Sequence, residues 1–147
     1  MLMRMRNWLV GLLAVVILTA CTDDERYYLD DRNDIVLNLV DKEWKSVVKE
    51  SGKTFETVYF LRKNGTGYMH SKTIYSSGHT NEFTRNISWK FYTPNYKYLY
   101  IDYGFWEITY LNTTTLRGYE YSEDPVYTTG HVDRIFFELG YSSEGEQ

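Results

Sequence analysis

Chemistry has few places to sit in this chain. Its three histidines, His70, His79 and His131, are scattered, and none lies two or four residues from another His or from the single Cys. A zinc site needs three or four convergent ligands. His79, Glu82 and His131 fall in predicted loops, but nothing in their spacing asks them to converge, so no metal is expected. No Gly-x-Ser-x-Gly, phosphate-binding loop or dinucleotide glycine pattern occurs. The carboxylates Glu43, Asp102, Glu107 and Glu120 fall on predicted outward strand faces, where a solvated charge is the default. A glycosidase-like pair among them would be a matter of geometry that spacing does not supply. The expectation is a chain without catalysis and without a cofactor.

Two features suit binding better than reaction. Arg85 shares parity with Phe83, Ile87, Trp89 and Phe91, which turns it toward a β interior. An arginine there must be paired or reach water at an opening, where it could hold an anionic group. An internal carboxylate or backbone carbonyls would satisfy it equally well. The second feature is a set of tyrosines, Tyr92, Tyr96, Tyr98 and Tyr100, expected on the outer face. Tyrosines in a row offer rigid amphipathic area for a glycan or a protein partner. Strand propensity, with packing against the N-terminal segment or a neighbouring loop, would place them there too.

The only cysteine, Cys21, closes the only long apolar run, MLMRMRNWLVGLLAVVILTAC. Arg4 and Arg6 make a positive start, and Trp8 to Ala20 is 13 residues without a charge. As a helix that run spans about 20 Å against roughly 30 Å of hydrocarbon, too short for a membrane span and right for a secretory leader. Leu18-Thr19-Ala20-Cys21 resembles the lipobox of bacterial lipoproteins, which implies cleavage before Cys21 and acylation of its thiol. A cysteine bearing three acyl chains is anchored to the membrane beyond practical release. Thr22-Asp23-Asp24-Glu25 reads physically as a solvated acidic tether. It also resembles the export signal of surface lipoproteins in Bacteroidetes, which implies an outer-membrane address, open on the cell-surface side.

The totals narrow the function further. Of 147 residues, those after the leader suffice for one domain and not two. Loss of Arg4 and Arg6 takes the net charge from −4 to −6, with 14 basic against 20 acidic side chains. An acidic body excludes a general nucleic-acid binder and adhesion of the domain itself to anionic lipid. One cysteine excludes an internal disulfide. The organisation expected is a leader over 1–20, a lipidated acidic tether over 21–33, a β domain over 34–140 and a polar tail over 141–147.

The elements that must position Arg85 and the tyrosines are mostly strands. Asn33 or Asp34 can cap a short helix over Asp34–Asp41, with Ile35, Val36, Leu39 and Val40 on one stripe. Eight strand-like segments follow: Glu43–Glu50, Phe55–Arg62, Thr66–Thr73, Phe83–Phe91, Tyr98–Asp102, Phe105–Tyr110, Thr115–Tyr121 and Val132–Leu139. A two-residue loop at Asn64-Gly65 would pair Phe60 with Met69 and Val58 with Ser71, turning Val58 and Phe60 inward, although Phe55, Tyr59 and Leu61 form a rival apolar face. A two-residue loop at Tyr103-Gly104 would pair Ile101 with Trp106 and Leu99 with Ile108. Short strands joined by tight turns, with no long helix between, predict an all-β antiparallel up-and-down barrel or half-open sandwich.

Trp44, the run Tyr59-Phe60-Leu61-Arg62-Lys63-Asn64-Gly65-Thr66-Gly67, and Trp89-Lys90-Phe91, Tyr98-Leu99-Tyr100-Ile101, Trp106-Glu107-Ile108 and Leu116 resemble the lipocalin-like domains of Bacteroidetes lipoproteins. The likeness spans roughly Ile35 to Leu139. It implies a calycin-type barrel and brings no catalytic residue. Lys42-Glu43 stands before Trp44 where true lipocalins carry Gly-x-Trp, so no ligand class follows from it. The function expected is an outer-membrane lipoprotein with a binding domain. It would take a small hydrophobic ligand at the barrel mouth near Arg85, or a glycan or envelope protein on the tyrosine face. A filled barrel serving as an assembly subunit is the competing expectation.

Overall fold

The computed structural model describes residues 34–141; the leader, Cys21, the tether and residues 142–147 lie outside the described residues. One short helix, α1 (Asp34–Leu39), precedes eight antiparallel strands. These are β1 (Glu43–Glu50), β2 (Lys53–Leu61), β3 (Thr66–Tyr75), β4 (Thr80–Phe91), β5 (Tyr98–Ile101), β6 (Gly104–Leu111), β7 (Thr115–Tyr121) and β8 (Arg134–Tyr141). Each pairs with its neighbour in sequence, and β8 returns to β1 to close a barrel. The expected eight-stranded up-and-down architecture is what forms.

Helix α1 plugs one end. Val36 and Leu39 are fully buried and Val40 nearly so, while Leu37 faces out. The helix stops two residues short of the expected Asp41, because Asp41 turns left-handed (φ 58°) and its N–H donates to the Leu61 carbonyl. The Leu39 carbonyl left open at the helix end accepts the indole N–H of Trp44 at 2.9 Å. Trp89 does the same at the opposite wall, donating to the Arg62 carbonyl at 2.8 Å. Trp44 and Trp89 thus bury their apolar bodies while their single donors are met, which is what a buried indole requires.

The β2–β3 hairpin corrects one expectation. Phe60 pairs with Tyr68 and Tyr59 with Met69, one residue off the expected register. Arg62 N–H donates to the Thr66 carbonyl and Gly65 N–H to that of Arg62, so the loop has three residues, Lys63-Asn64-Gly65, with Gly65 left-handed (φ 85°). A type I turn followed by a left-handed glycine adds one residue to the loop, and a shift of one exchanges the faces. Tyr59 and Leu61 therefore point in, and Val58 and Phe60 point out, where Phe60 stacks on Tyr68 under the Arg62 guanidinium. In the β5–β6 hairpin the loop is Asp102-Tyr103 rather than Tyr103-Gly104, both residues left-handed (φ 50° and 64°). Leu99 then pairs with Trp106, a shift of two, and the inward face is the expected one.

The core gathers at the α1 end. Trp44, Leu61, Leu99 and Leu116 are fully buried, with Ile87, Trp89, Phe91, Ile101, Trp106 and Leu139 close behind. Such side chains contribute about 1.5–3 kcal/mol each relative to exposure. The close approach of β7 to β6 also needs Gly118, where a Cβ would come within 2.1 Å of the Glu107 carbonyl oxygen. The opposite end is built differently. Strands β1 to β4 are long and stay paired to their tips, but β4 meets β5 only from Trp89 to Phe91. Strand β1 meets β8 only at Trp44 and Lys45. The far halves of β1–β4 therefore project as a four-stranded sheet whose inward face no other described strand covers.

Candidate binding mouth

Strict alternation along β1–β4 sets the inner face of this projection: Ser46 and Val48, Phe55 and Thr57, Ser71 and Thr73, Asn81, Phe83 and Arg85. The outer face carries Lys45, Lys49, Glu56, Lys72 and Glu82. Most of the charge lies outside, while Arg85 and, at the β1–β2 tip, Glu50 and Lys53 share the inward parity. Yet the inner apolar groups are open: Val48 is 50% exposed, Phe55 38% and Phe83 53%, and Ile135 on β8 is 71% exposed. The strands form a cup, closed below by the core and open at the top.

The floor of the cup is where Arg85 sits. Its guanidinium is ion-paired with Asp102, the first residue of the β5–β6 turn, so the internal-carboxylate alternative holds. Tyr59 stands beside it, edge-on to Trp106 at 4.8 Å between ring centres. The Tyr59 hydroxyl is pushed up to about 12, by burial first and then by the charges of Glu120 and Asp102, with Arg85 opposing. Glu120 pairs with Trp106 and Ile135 and so points in, which corrects its expected outward placement. Its carboxyl is raised, by partial burial first and the Asp102 charge second, although the residue remains exposed at its surface. Four groups thus converge, Tyr59, Arg85, Asp102 and Glu120, of which only Arg85 was expected here. The signal for Glu120 was its parity with Leu116 and Gly118, both turned in.

The tyrosine face is largely occupied by the protein itself. Tyr96 is not on it: with a left-handed backbone (φ 58°) its ring turns into the core, 8% exposed, and meets Phe91 edge-on at 4.8 Å. Tyr92, Tyr98 and Tyr100 do point out. Tyr92 donates its hydroxyl to Asp124, is raised to about 12 by that bond, and packs on Phe105 and Tyr127. The loop from β7 to β8 is thereby pinned over it, with Asp124 also accepting from the Val126 and Tyr127 amides. Lys97 lies over Tyr98 and Lys90 over Tyr100. Glu107 also departs from expectation: it is on the outer face but only 8% exposed, accepting from the Tyr121 hydroxyl at 2.6 Å and from Lys97 at 3.2 Å.

The remaining candidates stay apart. His70 contacts Thr84 on the outer face of β3, His79 rests near Tyr75, and His131 pairs with Asp133 in the long loop. Among the described residues no group of three His, Cys, Asp or Glu is placed to hold a metal, and no helix is long and apolar enough to cross a membrane. Cys21 lies outside the described residues. Set against protein-family models, characterised proteins and solved structures, the chain finds no match.

Proposed function

We propose that this chain is a lipid-anchored protein of the bacterial outer membrane whose barrel holds a small, largely apolar ligand at its open end. One observation carries the binding reading: Val48, Phe55, Phe83 and Ile135 face the barrel axis yet remain exposed, above a floor of Tyr59, Arg85, Asp102 and Glu120. Apolar side chains set among small polar ones (Ser46, Thr57, Ser71, Thr73), with convergent charged groups at one end, suit a small amphipathic molecule. The walls supply affinity through buried area, and the floor orients a polar head. Because Asp102 already neutralises Arg85, and Glu120 adds a further acidic group, the floor suits a hydrogen-bond donor or a cation better than an anion. The anchor at Cys21, the surface address and the resemblance to lipocalin-like lipoproteins rest on the leader and the aromatic pattern of the sequence. The acidic tether would hold the mouth clear of the lipid.

The experiment is extraction of bound small molecules from protein purified out of intact membranes, read by mass spectrometry. The wild-type chain should carry a ligand that the Phe55→Asp/Phe83→Asp double variant lacks, with both proteins equally folded by circular dichroism. Equal ligand content in the two, or none in either, contradicts the reading. Labelling with a palmitate analogue tests the anchor separately; Cys21→Ser should abolish incorporation.

A further inference from the structure

The charges that the strands turn toward the barrel axis nearly cancel. Glu50 and Lys53 stand opposite one another at the β1–β2 tip and balance. Arg85 is ion-paired with Asp102 at the floor of the mouth. Strands β3, β5, β6 and β8 place no charged residue at an inward position. That leaves Glu120, set between Trp106 and Ile135, as the one inward strand charge without a counter-charge among the described residues. It makes no ion pair and no hydrogen bond within them. The Tyr59 hydroxyl, which feels the charges of both Glu120 and Asp102, likewise makes no hydrogen bond there. Asp102 binds Arg85 through Oδ2 and keeps Oδ1 open.

We propose that the ligand's head is a primary ammonium group carried on an apolar tail, an inference that rests on the ligand-holding mouth. An ammonium brings one positive charge and three N–H donors. Its charge answers the unbalanced Glu120, and its donors answer three acceptors: the Glu120 carboxylate, the Tyr59 hydroxyl and the open oxygen of Asp102. Hydrogen bonds assisted by charge in this way are about twice as strong as neutral ones. The cation also opposes the Asp102 charge, which after burial is what raises the Glu120 carboxyl. A carboxylate head would meet two acidic groups with Arg85 already taken, and an alcohol would leave Glu120 unmatched. The same ground excludes a phosphate or carboxylate placed next to the amine. From the floor the tail runs along Phe83 and Phe55 toward the strand tips. Between Arg85 and Asn81 the β4 wall rises about 13 Å, so a short alkyl chain covers it.

The test is calorimetric titration of the full chain near neutral pH with four probes that share one tail: octylamine, octanol, octanoate and octyltrimethylammonium. Octylamine should bind at least tenfold more tightly than octanol, and octanoate more weakly than either. Octyltrimethylammonium, which keeps the charge and lacks the donors, should fall at least threefold below octylamine. In Glu120→Gln, an exposed position whose folding is checked by circular dichroism, octylamine should come within threefold of octanol. Octanol equal to octylamine, octanoate binding best, the trimethylated probe matching the amine, or an amine preference that survives Glu120→Gln overturns the ammonium head. Each of those outcomes leaves the mouth standing, because the tail still binds. No binding of any probe at millimolar concentration removes the mouth itself and this inference with it.

Discussion

Asp102 shows how much one residue does here. It holds Arg85, and it opens a two-residue turn in which both it and Tyr103 take left-handed backbone. Tyrosine gains nothing from that conformation, since Tyr103 is 89% exposed. Tyr103→Gly should therefore raise stability by up to about 1 kcal/mol, seen as a higher denaturation midpoint. Glu120 allows a pH prediction. Its folded-state pKa is raised, so ionising it costs more in the folded protein than in the unfolded chain. Its contribution is fully favourable below the unfolded value and is lost as pH rises through the folded one. Glu120→Gln should thus raise the melting temperature slightly at neutral pH and leave it unchanged below about pH 4. Trp44→Phe removes a buried donor and strands the Leu39 carbonyl, and should cost about 1–3 kcal/mol in chemical denaturation.

At the scale of elements, legibility in the sequence followed the length of one-sided patterns. The run Phe83, Ile87, Trp89, Phe91 alternates cleanly, so the inward face of β4, and with it Arg85, was readable. Strand β2 was not, because Val58 and Phe60 compete with Tyr59 and Leu61, and whether Asn64-Gly65 turns in two residues or three decides between them. That choice is settled by the glycine's left-handed backbone and by the Trp89 N–H that donates to its carbonyl, a contact distant in sequence. Tyr96 was misplaced because a loop residue has no periodicity to report its direction. Asp102 was unreadable as Arg85's partner since it reaches the mouth only after β4 and β5 separate. Close approach of β6 and β7 yields a further test. Gly118→Ala forces a Cβ against the Glu107 carbonyl and the Phe137 ring, and should destabilise by about 1–3 kcal/mol in thermal unfolding.

The whole molecule is asymmetric along its axis, and that asymmetry is the argument for function. At the α1 end nearly every inward side chain is buried; at the other end Val48, Phe55, Phe83 and Ile135 are inward and exposed. Among the described residues no buried side-chain polar atom lacks a partner. Exposed apolar side chains turned toward a barrel axis, rather than outward, suit a site of contact. The most direct measurement is amide chemical-shift mapping of the full chain titrated with N-phenyl-1-naphthylamine, a neutral apolar probe. Saturable shifts centred on Phe55, Phe83, Arg85 and Glu120, lost in Phe83→Asp, are the predicted result. Shifts confined to the outer tyrosines, or none at saturating probe, would contradict a ligand-holding mouth.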